Sequence, residues 1–423
     1  MPNTAGIGMS RSHASRVRPV AWAVFCVVAL LVLSQLPGAY ASSTVTILDA
    51  PSCGSIGGTW TTGTCTVSGG SIPAGTFVVV PAGITLAFAM TATVTNYGSI
   101  TNQGVVTATL LTSFAEGLSN YGSITNQGLF QVSGTNNNDG EVNNYGELAN
   151  FGTLSIFVTA FQSTGFENFA TVTNSGTILV DISEPSPGCN CVVGFRNAPT
   201  GLLNNFGTLT NSGPSELYVG YNGGFVTDGL VNNYGTVTTS GSFRNDGVLT
   251  NLGALNNYGG LVNNNYGGMI PGNVGTIDND GLFTNFPTGT FVNVGVVNEC
   301  GTFDNVGAYY TTWPNAWPSG EGTGVVNTSP CPTPAQQTSS LVTVVLSLGP
   351  PNGPLNVGQA NSLVSKLFQV ESRLGSGQTN AACNTLSAFV NEVTSLTNGG
   401  VLLPSQDSLL AALAQSIMTA AQC

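Results

Sequence analysis

Aromatic side chains recur at regular intervals in the middle of the chain, and ordered aromatic rings are a residue type that can bind sugars by stacking. Each ring stands between an asparagine and a glycine, which is replaced once by alanine. Successive copies are 24, 24, 24, 37, 28 and 24 residues apart. The rings are Tyr97, Tyr121, Tyr145, Phe169, Phe206, Tyr234 and Tyr258. Two interpretations follow: a column of rings that forms a ligand platform, or an internal stack that only stabilises the fold.

Serine and threonine form a second pattern, in which two hydroxyl residues flank one apolar residue. The pairs are Ser99 and Thr101, Ser123 and Thr125, Thr171 and Thr173, Thr208 and Thr210, and Thr236 and Thr238. If the copies stack, the pairs form a flat face that resembles the ice-binding faces of some solenoid antifreeze proteins. Glu147 and Ala149 interrupt this face, and threonine is an ordinary outward residue of any strand. The candidate ligand face therefore combines the first three tyrosines with these hydroxyl pairs.

The side chains that polysaccharide-degrading enzymes use for catalysis are scarce in this chain. Enzymes of that class need clustered carboxylates or a positioned base, and the repeat region contains only Arg196 and Arg244 as basic residues and no histidine. The segment Asp278-Asn279-Asp280-Gly281 is the sharpest candidate for a calcium site, although solvated turn residues are the simpler interpretation. We predict no catalytic residue, metal or cofactor, and a polysaccharide-degrading enzyme is the disfavoured alternative.

Cysteines after residue 41 are even in number and lie near one another in sequence. The neighbours are Cys53 with Cys65, Cys189 with Cys191, Cys300 with Cys331, and Cys383 with Cys423. In an exported chain this arrangement predicts four disulfides, whose pairing the sequence leaves open. A metal site at Cys189 and Cys191 is the alternative for that pair, but no histidine or second cysteine pair lies beside it.

The aromatic motif also specifies the elements that carry these residues. Asparagine and glycine tolerate positive φ, so each Asn-x-Gly is predicted to be a tight corner between strands. A second corner follows six residues later, as in Asn102-Gln103-Gly104 and Asn126-Gln127-Gly128. Between the two corners an apolar residue such as Ile100 is flanked by small polar residues, which predicts a short strand with one buried face.

A strand and corner unit that repeats at a fixed period is one coil of a solenoid. Stacking places equivalent residues about 4.8 Å apart, where buried amides can hydrogen-bond along the stack. The predicted ladder consists of Asn96, Asn120, Asn144, Asn168, Asn205, Asn233 and Asn257. The predicted fold is thus mainly β, a single-stranded parallel β-helix (β-solenoid). We favour a right-handed helix because of the 24-residue spacing, whereas the glycines that recur every six residues over 229–259 also fit the left-handed form.

Composition agrees with a solenoid. The 423 residues include 56 glycines, and only 6% are charged, which is typical of turns and short strands rather than of surface helices. Intrinsic disorder is the rival interpretation. It is disfavoured because the charge is low and apolar residues are regularly spaced, so that stacked coils can bury a continuous stripe.

The N-terminal 41 residues read as a signal peptide. Three arginines precede the apolar run 20–33, and Ala39-Tyr40-Ala41 provides a cleavage site; an uncleaved membrane anchor is the alternative. Cleavage would remove the only histidine, His13, and leave four basic residues against 19 acidic ones. Such an acidic chain is a poor partner for nucleic acids or anionic membranes.

The chain changes character after residue 356. Apolar periodicity predicts three helices over 359–374, 379–397 and 405–421. Gly375 and the pair Gly399-Gly400 are predicted C-terminal stops, and Pro404 is a predicted helix start. If the last two helices are antiparallel, Cys383 and Cys423 come together, which supports their pairing.

Two resemblances follow from these residues. The Asn-x-Gly coils resemble the β-solenoid repeats of filamentous-haemagglutinin-type adhesins, over about half of the chain. The stretch from Gly358-Gln359-Ala360 through Ala381-Ala382-Cys383 and Phe389-Val390-Asn391 to Cys423 resembles FIMAH-type helical modules of secreted microbial proteins. That second resemblance implies attachment to carbohydrate or extracellular matrix.

The sequence therefore predicts a signal peptide (1–41), an N-terminal solenoid cap (42–90), a parallel β-helix (91–310), a Pro- and Trp-rich cap and linker (311–356) and a helical module (357–423). The expected protein is secreted or displayed on a cell surface, is not an enzyme, and adheres through polysaccharide or matrix components, with self-association as a further option. Binding to ice or a crystal surface is the main alternative. Nucleic acid, and a membrane once the signal is removed, are not expected partners.

Overall fold

The computed structural model describes residues 42–110, 117–134, 142–158, 164–182, 193–212, 223–263, 276–279, 281–288, 290–293, 296–300, 302–310, 325–327, 333–350, 353–402 and 404–423. The predicted signal peptide and the cysteines Cys189, Cys191 and Cys331 lie outside these residues.

The described strands form three long sheets, called A, B and C here, and every pair is parallel except β2 with β3. Sheet A contains, in order, β1 (Ser43–Thr46), β5 (Thr76–Val80), β8 (Ser99–Asn102), β11 (Ser123–Asn126), β14 (Glu147–Asn150), β17 (Thr171–Asn174), β20 (Leu202–Asn205), β23 (Leu230–Asn233), β26 (Val248–Asn251), β29 (Thr276–Asn279), β32 (Val296–Glu299) and β35 (Val325–Asn327).

Sheet B contains β2 (Thr59–Thr61), β3 (Thr64–Val67), β6 (Thr85–Met90), β9 (Val105–Leu110), β12 (Leu129–Gly134), β15 (Thr153–Val158), β18 (Thr177–Ile182), β21 (Thr208–Ser212), β24 (Thr236–Thr239), β27 (Ala254–Asn257), β30 (Leu282–Asn285) and β33 (Thr302–Asn305). Sheet C contains β4 (Gly70–Ile72), β7 (Val94–Asn96), β10 (Leu118–Asn120), β13 (Val142–Asn144), β16 (Thr164–Asn168), β19 (Val193–Asn197), β22 (Gly223–Thr227), β25 (Ser242–Asn245), β28 (Gly260–Asn263), β31 (Thr290–Asn293) and β34 (Ala308–Tyr310).

One coil runs through sheet C, then A, then B, and the next coil stacks on it in register. Ile100 pairs with Ile124, and Ile124 with Leu148. Side chains alternate along each strand, so the inward positions form a continuous apolar core in which Ile100, Ile124 and Leu148 are at most 2% exposed. The predicted parallel β-helix is thus confirmed, and the parallel pairing already begins at Ser43.

Asparagines at the strand ends form buried ladders. Asn96 Nδ2 donates to Asn120 Oδ1 at 2.7 Å, and Asn120 donates in turn to Asn144 at 2.7 Å. The second amide hydrogen of Asn120 reaches the backbone carbonyl of Glu147 at 3.2 Å. Each amide therefore satisfies polar backbone at a corner and also links two coils, which removes the cost of burying it.

The predicted single ladder is divided among three corners, and this is a correction. Asn168 stacks on Asn197 in sheet C, whereas Asn205 and Asn233 belong to sheet A and Asn257 to sheet B. The sheet A ladder runs through Asn102, Asn126, Asn150, Asn174, Asn205, Asn233, Asn251 and Asn279 and ends on Glu299 Oε1. The prediction was wrong because the same motif occupies different corners, so an identical sequence does not identify a column.

The motif copies at Asn168 and Asn205 are 37 residues apart because they occupy different corners of the solenoid. Within 181–201, residues 181–182 end β18 and residues 193–197 form β19, while 183–192 lie outside the described residues. Phe195 of β19 is fully buried and stacks on Phe166 with ring centroids 5.1 Å apart. Strand β19 therefore belongs to the stacked core of the solenoid.

Glycine is required at the corners for a reason other than the predicted positive φ. The described glycines of the Asn-x-Gly copies, such as Gly98 and Gly122, are absent from the positive-φ residues. A Cβ atom added to Gly122 would instead lie 1.9 Å from the carbonyl oxygen of Gly98, and one on Gly146 would lie 2.1 Å from that of Gly122. Close approach between coils, not backbone handedness, thus selects glycine.

The two ends of the described chain carry disulfides. Near the N-terminus, Cys53 in helix α1 (Ala50–Ser55) is bonded to Cys65 in β3. Near the C-terminus, Cys383 is bonded to Cys423 with a Cα separation of 5.9 Å. Both predicted pairs are confirmed. Cys300 is also disulfide-bonded, while its predicted partner lies outside the described residues.

The C-terminal module has four described helices rather than three: α2 (Pro334–Ser347), α3 (Val357–Gly375), α4 (Thr379–Asn398) and α5 (Pro404–Ala420). The last three match the prediction, whereas α2 lies in the segment predicted to be a linker. Helix α2 begins with a capping box between Thr333 and Gln336, and Leu341 and Val345 enter the core of the module. The prediction missed α2 because its Val- and Thr-rich sequence has little helical propensity.

The helical module packs on the corner between sheets A and B, and both parts belong to one compact unit, Ser43–Cys423. Phe206 is 2% exposed and belongs to the apolar core of the module, against which Tyr234 and Leu252 also pack. Gln406 Nε2 of α5 donates to Ser175 Oγ at 3.2 Å. Desolvation at this contact raises the pKa of Tyr234 to about 12.

We predict that Gly122→Ala lowers the free energy of unfolding by about 2–3 kcal/mol, because the new methyl group forces two coils apart. Gly375→Ala is the control, since a Cβ atom there meets no atom within 4 Å. Thermal and urea unfolding of both variants measures the difference. Equal stability of the two variants would show that the corner can relax without cost.

Asn120→Ala is expected to destabilise the solenoid by about 2–4 kcal/mol, because it leaves ladder groups of Asn96 and Asn144 without their amide partner. Gln127→Ala tests the same loss at an exposed corner position, where the amide lies 3.4 Å from Gln103. There the expected change is within about 0.5 kcal/mol. Urea unfolding compares the two; a cost as small for Asn120 as for Gln127 contradicts a role of the ladder in stability.

Tyr234 makes stability depend on pH. Its pKa is raised, so this contribution is fully present below the unfolded pKa of 10.0 and is lost as pH rises through the folded value of about 12. We expect the wild type to lose up to roughly 3 kcal/mol between these limits through this group. Urea unfolding across that range should show a shallower pH slope for Tyr234→Phe, and identical slopes would contradict burial of this hydroxyl.

Candidate glycan-binding groove

The corner between sheets C and A carries an open groove. It has a volume of about 340 Å³ and follows the solenoid axis across four successive coils. The lining residues are Gly75, Thr76, Phe77, Tyr97, Gly98, Ser99, Tyr121, Gly122, Ser123, Gly146 and Glu147. Gly98, Gly122 and Gly146 form part of the wall, and a Cβ atom at any of them would collide with the preceding coil.

One wall of the groove is a column of stacked rings. Tyr97 and Tyr121 have centroids 5.4 Å apart, Tyr121 and Tyr145 4.8 Å, and Tyr145 and Phe169 4.7 Å. The three tyrosines are between 40% and 52% exposed. Tyr121 and Tyr145 each have a ring on both sides, so both faces of their rings are covered, and Tyr97 ends the described stack. At this corner the rings stack on one another and also remain partly exposed, so the column is not internal.

The other wall comes from outward residues of sheet A. Ser123 Oγ donates to Ser99 Oγ at 2.8 Å, so the two hydroxyls form a pair along the axis. Phe77 precedes them in the same column and is 45% exposed, and Glu147 follows them and is exposed. The groove thus has an apolar end at Phe77 and Tyr97 and a carboxylate at the other end.

The predicted column of seven rings does not continue beyond Phe169. Phe206 and Tyr234 stack on each other, 4.9 Å apart, at the corner that the helices cover. Tyr258 stacks on Phe286, 3.9 Å apart, at the corner between sheets B and C. The repeat motif changes corner after Phe169, which is why the sequence pattern suggested a longer platform than the structure provides.

The predicted hydroxyl face is also divided, so a single flat face is wrong. Ser99, Ser123 and their partners Thr101 and Thr125 lie on sheet A. The pairs Thr208 with Thr210 and Thr236 with Thr238 lie on sheet B. In sheet A the register places Glu147 and Ala149 directly after the second pair. Residues on two sheets face different directions and cannot contact one flat surface together.

The remaining candidates are held in other contacts. Arg196 forms ion pairs with Glu167 and Asp228, both at 2.9 Å, and Arg244 pairs with Asp246. Asp278 accepts a hydrogen bond from Asn298 Nδ2 at 2.6 Å, and Asp280 lies outside the described residues. Among the residues that the structure describes, no three His, Cys, Asp or Glu side chains gather in a way that could hold a metal ion.

Two groove residues were missed by sequence reasoning. Phe77 precedes the first Asn-x-Gly copy, and Glu147 was treated only as an interruption of the hydroxyl face. The signal that could have identified both is the 24-residue register, which places Glu147 after Ser123 and Ser99 in one outward column. The same register does not identify Phe77, since the coil between Phe77 and Ser99 is shorter than 24 residues.

Comparison of the chain with protein-family models, with curated proteins and with solved structures gives no match. Within the described part of the chain, no helix combines the length and the apolar character that crossing a bilayer demands.

Proposed function

We propose that this protein is a secreted or cell-surface adhesion protein without enzymatic activity. Its β-solenoid acts as a rigid stalk, its groove binds glycan chains, and its helical module attaches to carbohydrate or matrix. The observation that carries the proposal is the groove itself, in which exposed tyrosines and serine hydroxyls line an open channel along the axis. Aromatic rings beside hydroxyl groups are the surface that sugars prefer, since a sugar has both C–H and O–H groups.

Three further observations support the proposal. The N-terminal segment has the pattern of an export signal, and the bonded pairs Cys53–Cys65 and Cys383–Cys423 are typical of oxidising compartments. The solenoid arginines are engaged in ion pairs with carboxylates, which favours a structural role for them over catalysis.

Repetition explains how such a protein could adhere. Coils that stack about 4.8 Å apart present the same groups in a row, and several weak contacts along one extended ligand add to a useful affinity. The helical module carries apolar side chains on its surface as well, with Phe368 of α3 at 56% exposure. The proposed role thus uses two attachment surfaces, the groove of the solenoid and the surface of the helical module.

The test uses the full exported chain, because the helices cover Phe206 and cutting them away would expose a new apolar surface. Binding to a panel of neutral polysaccharides and envelope preparations is compared for the wild type and for Tyr97→Ala. We expect about tenfold weaker binding for the variant, since it loses one aromatic contact.

Tyr258→Ala is the matched control, because Tyr258 is 40% exposed and also has a single described ring partner, but lies at another corner. Phe368→Ala tests the module in the same assay. Loss with Phe368→Ala alone would place attachment in the helices. Binding that no variant changes, or no binding at all, would contradict the proposed adhesion to glycans.

A further inference from the structure

The groove lining carries charge of only one sign, and this restricts the class of ligand that the groove can bind. Among the described lining residues, Glu147 is the only Asp, Glu, Lys, Arg or His. The nearest lining groups are the hydroxyl pair of Ser99 and Ser123 and the rings of Tyr97 and Tyr121. A polyanionic glycan would meet a carboxylate and no cation in this groove, so like-charge repulsion disfavours it.

The rest of the chain strengthens this bias. The formal net charge is −12. The two solenoid arginines lie on sheet C and form ion pairs, Arg196 with Glu167 and Asp228, and Arg244 with Asp246. The lysine of the helical module is paired as well, with Glu392. The field around the solenoid therefore attracts cations and repels anions over a distance of roughly 10 Å.

The groove also has a direction. Phe77 and Tyr97 form an apolar end, which suits the C–H face of a pyranose ring, and Glu147 lies two coils beyond Ser99 in the same outward column. The distance from Phe77 to Glu147 is three coil steps, or about 14 Å at normal strand spacing. A short extended oligosaccharide can therefore contact the apolar end with one ring and the carboxylate with a substituent of another.

We propose that the groove binds glycans whose sugars carry a free, protonated amino group, such as glucosamine oligosaccharides, with Glu147 as the group that selects the ammonium. This proposal rests on the proposed glycan-binding function and specifies the ligand class for the same site. Tyr97 and Phe77 hold the sugar ring, the serine hydroxyls bind its hydroxyls, and the Glu147 carboxylate accepts a charge-assisted hydrogen bond from the amine.

The experiment measures the dissociation constants of the full exported chain for three oligosaccharides of equal length. They are oligomers of glucosamine, of N-acetylglucosamine and of galacturonate. We expect tightest binding to glucosamine, about three- to fivefold weaker binding to the N-acetylated form, and the weakest to galacturonate, as an exposed ion pair predicts. The preference for the amine should decrease as salt is raised, because the groove is open to solvent.

Glu147→Gln is expected to remove this preference, so that the glucosamine and N-acetylglucosamine oligomers bind with equal affinity. Asp304→Asn is the control, since it removes one exposed carboxylate from β33, outside the groove. Equal affinity of the wild type for the first two sugars, or a preference that survives Glu147→Gln, overturns this inference. If Tyr97→Ala then still weakens the binding of both sugars, the proposed glycan-binding function stands without the preference for amino sugars. If no sugar responds to Tyr97→Ala, both proposals fail.

Discussion

Everything in this solenoid depends on how closely one coil can approach the next at its corners. Parallel strands set the spacing, and the corner glycines permit it, since the carbonyl oxygen of Gly98 lies where a Cβ atom of Gly122 would be. The asparagine before each such corner uses the same closeness, with amides 2.7 Å apart in successive coils. Steric fit and polar satisfaction thus act at one place, and both favour the same register.

Copies of the motif occur at all three corners, but their surroundings differ. At the corner between sheets C and A the rings of Tyr97, Tyr121 and Tyr145 are exposed. At the corner between sheets A and B the equivalent rings Phe206 and Tyr234 lie beneath the helices. A single sequence motif therefore provides a candidate ligand surface in one place and a docking surface in another. What covers the ring decides its role, not the ring itself.

The helical module and the solenoid are best understood as one structural unit. Helix α2 follows the last described strand and contributes Leu341 and Val345 to a core that also includes Phe206 of the solenoid. The Cys383–Cys423 bond then fixes the far end of the module. The helices cover the corner between sheets A and B, where Phe206 is buried, whereas the rings at the corner with the groove remain exposed.

Sequence alone determined the local rules of this protein. The motif Asn-x-Gly, the buried positions such as Ile100 and Ile124, the helices after residue 356 and two cysteine pairs all follow from spacing and residue chemistry. Only the tertiary structure decided which corner each copy occupies. Asn168 stacks on Asn197 rather than Asn205, and Thr208 and Thr236 lie on a different sheet from Ser99. The physical reason is that glycine meets the carbonyl oxygen of the preceding coil at motif copies in all three corners, as at Gly122, Gly235 and Gly259, so the motif does not distinguish them. The corner that each copy occupies is decided by strand register, because coils of unequal length must still pair strand with strand.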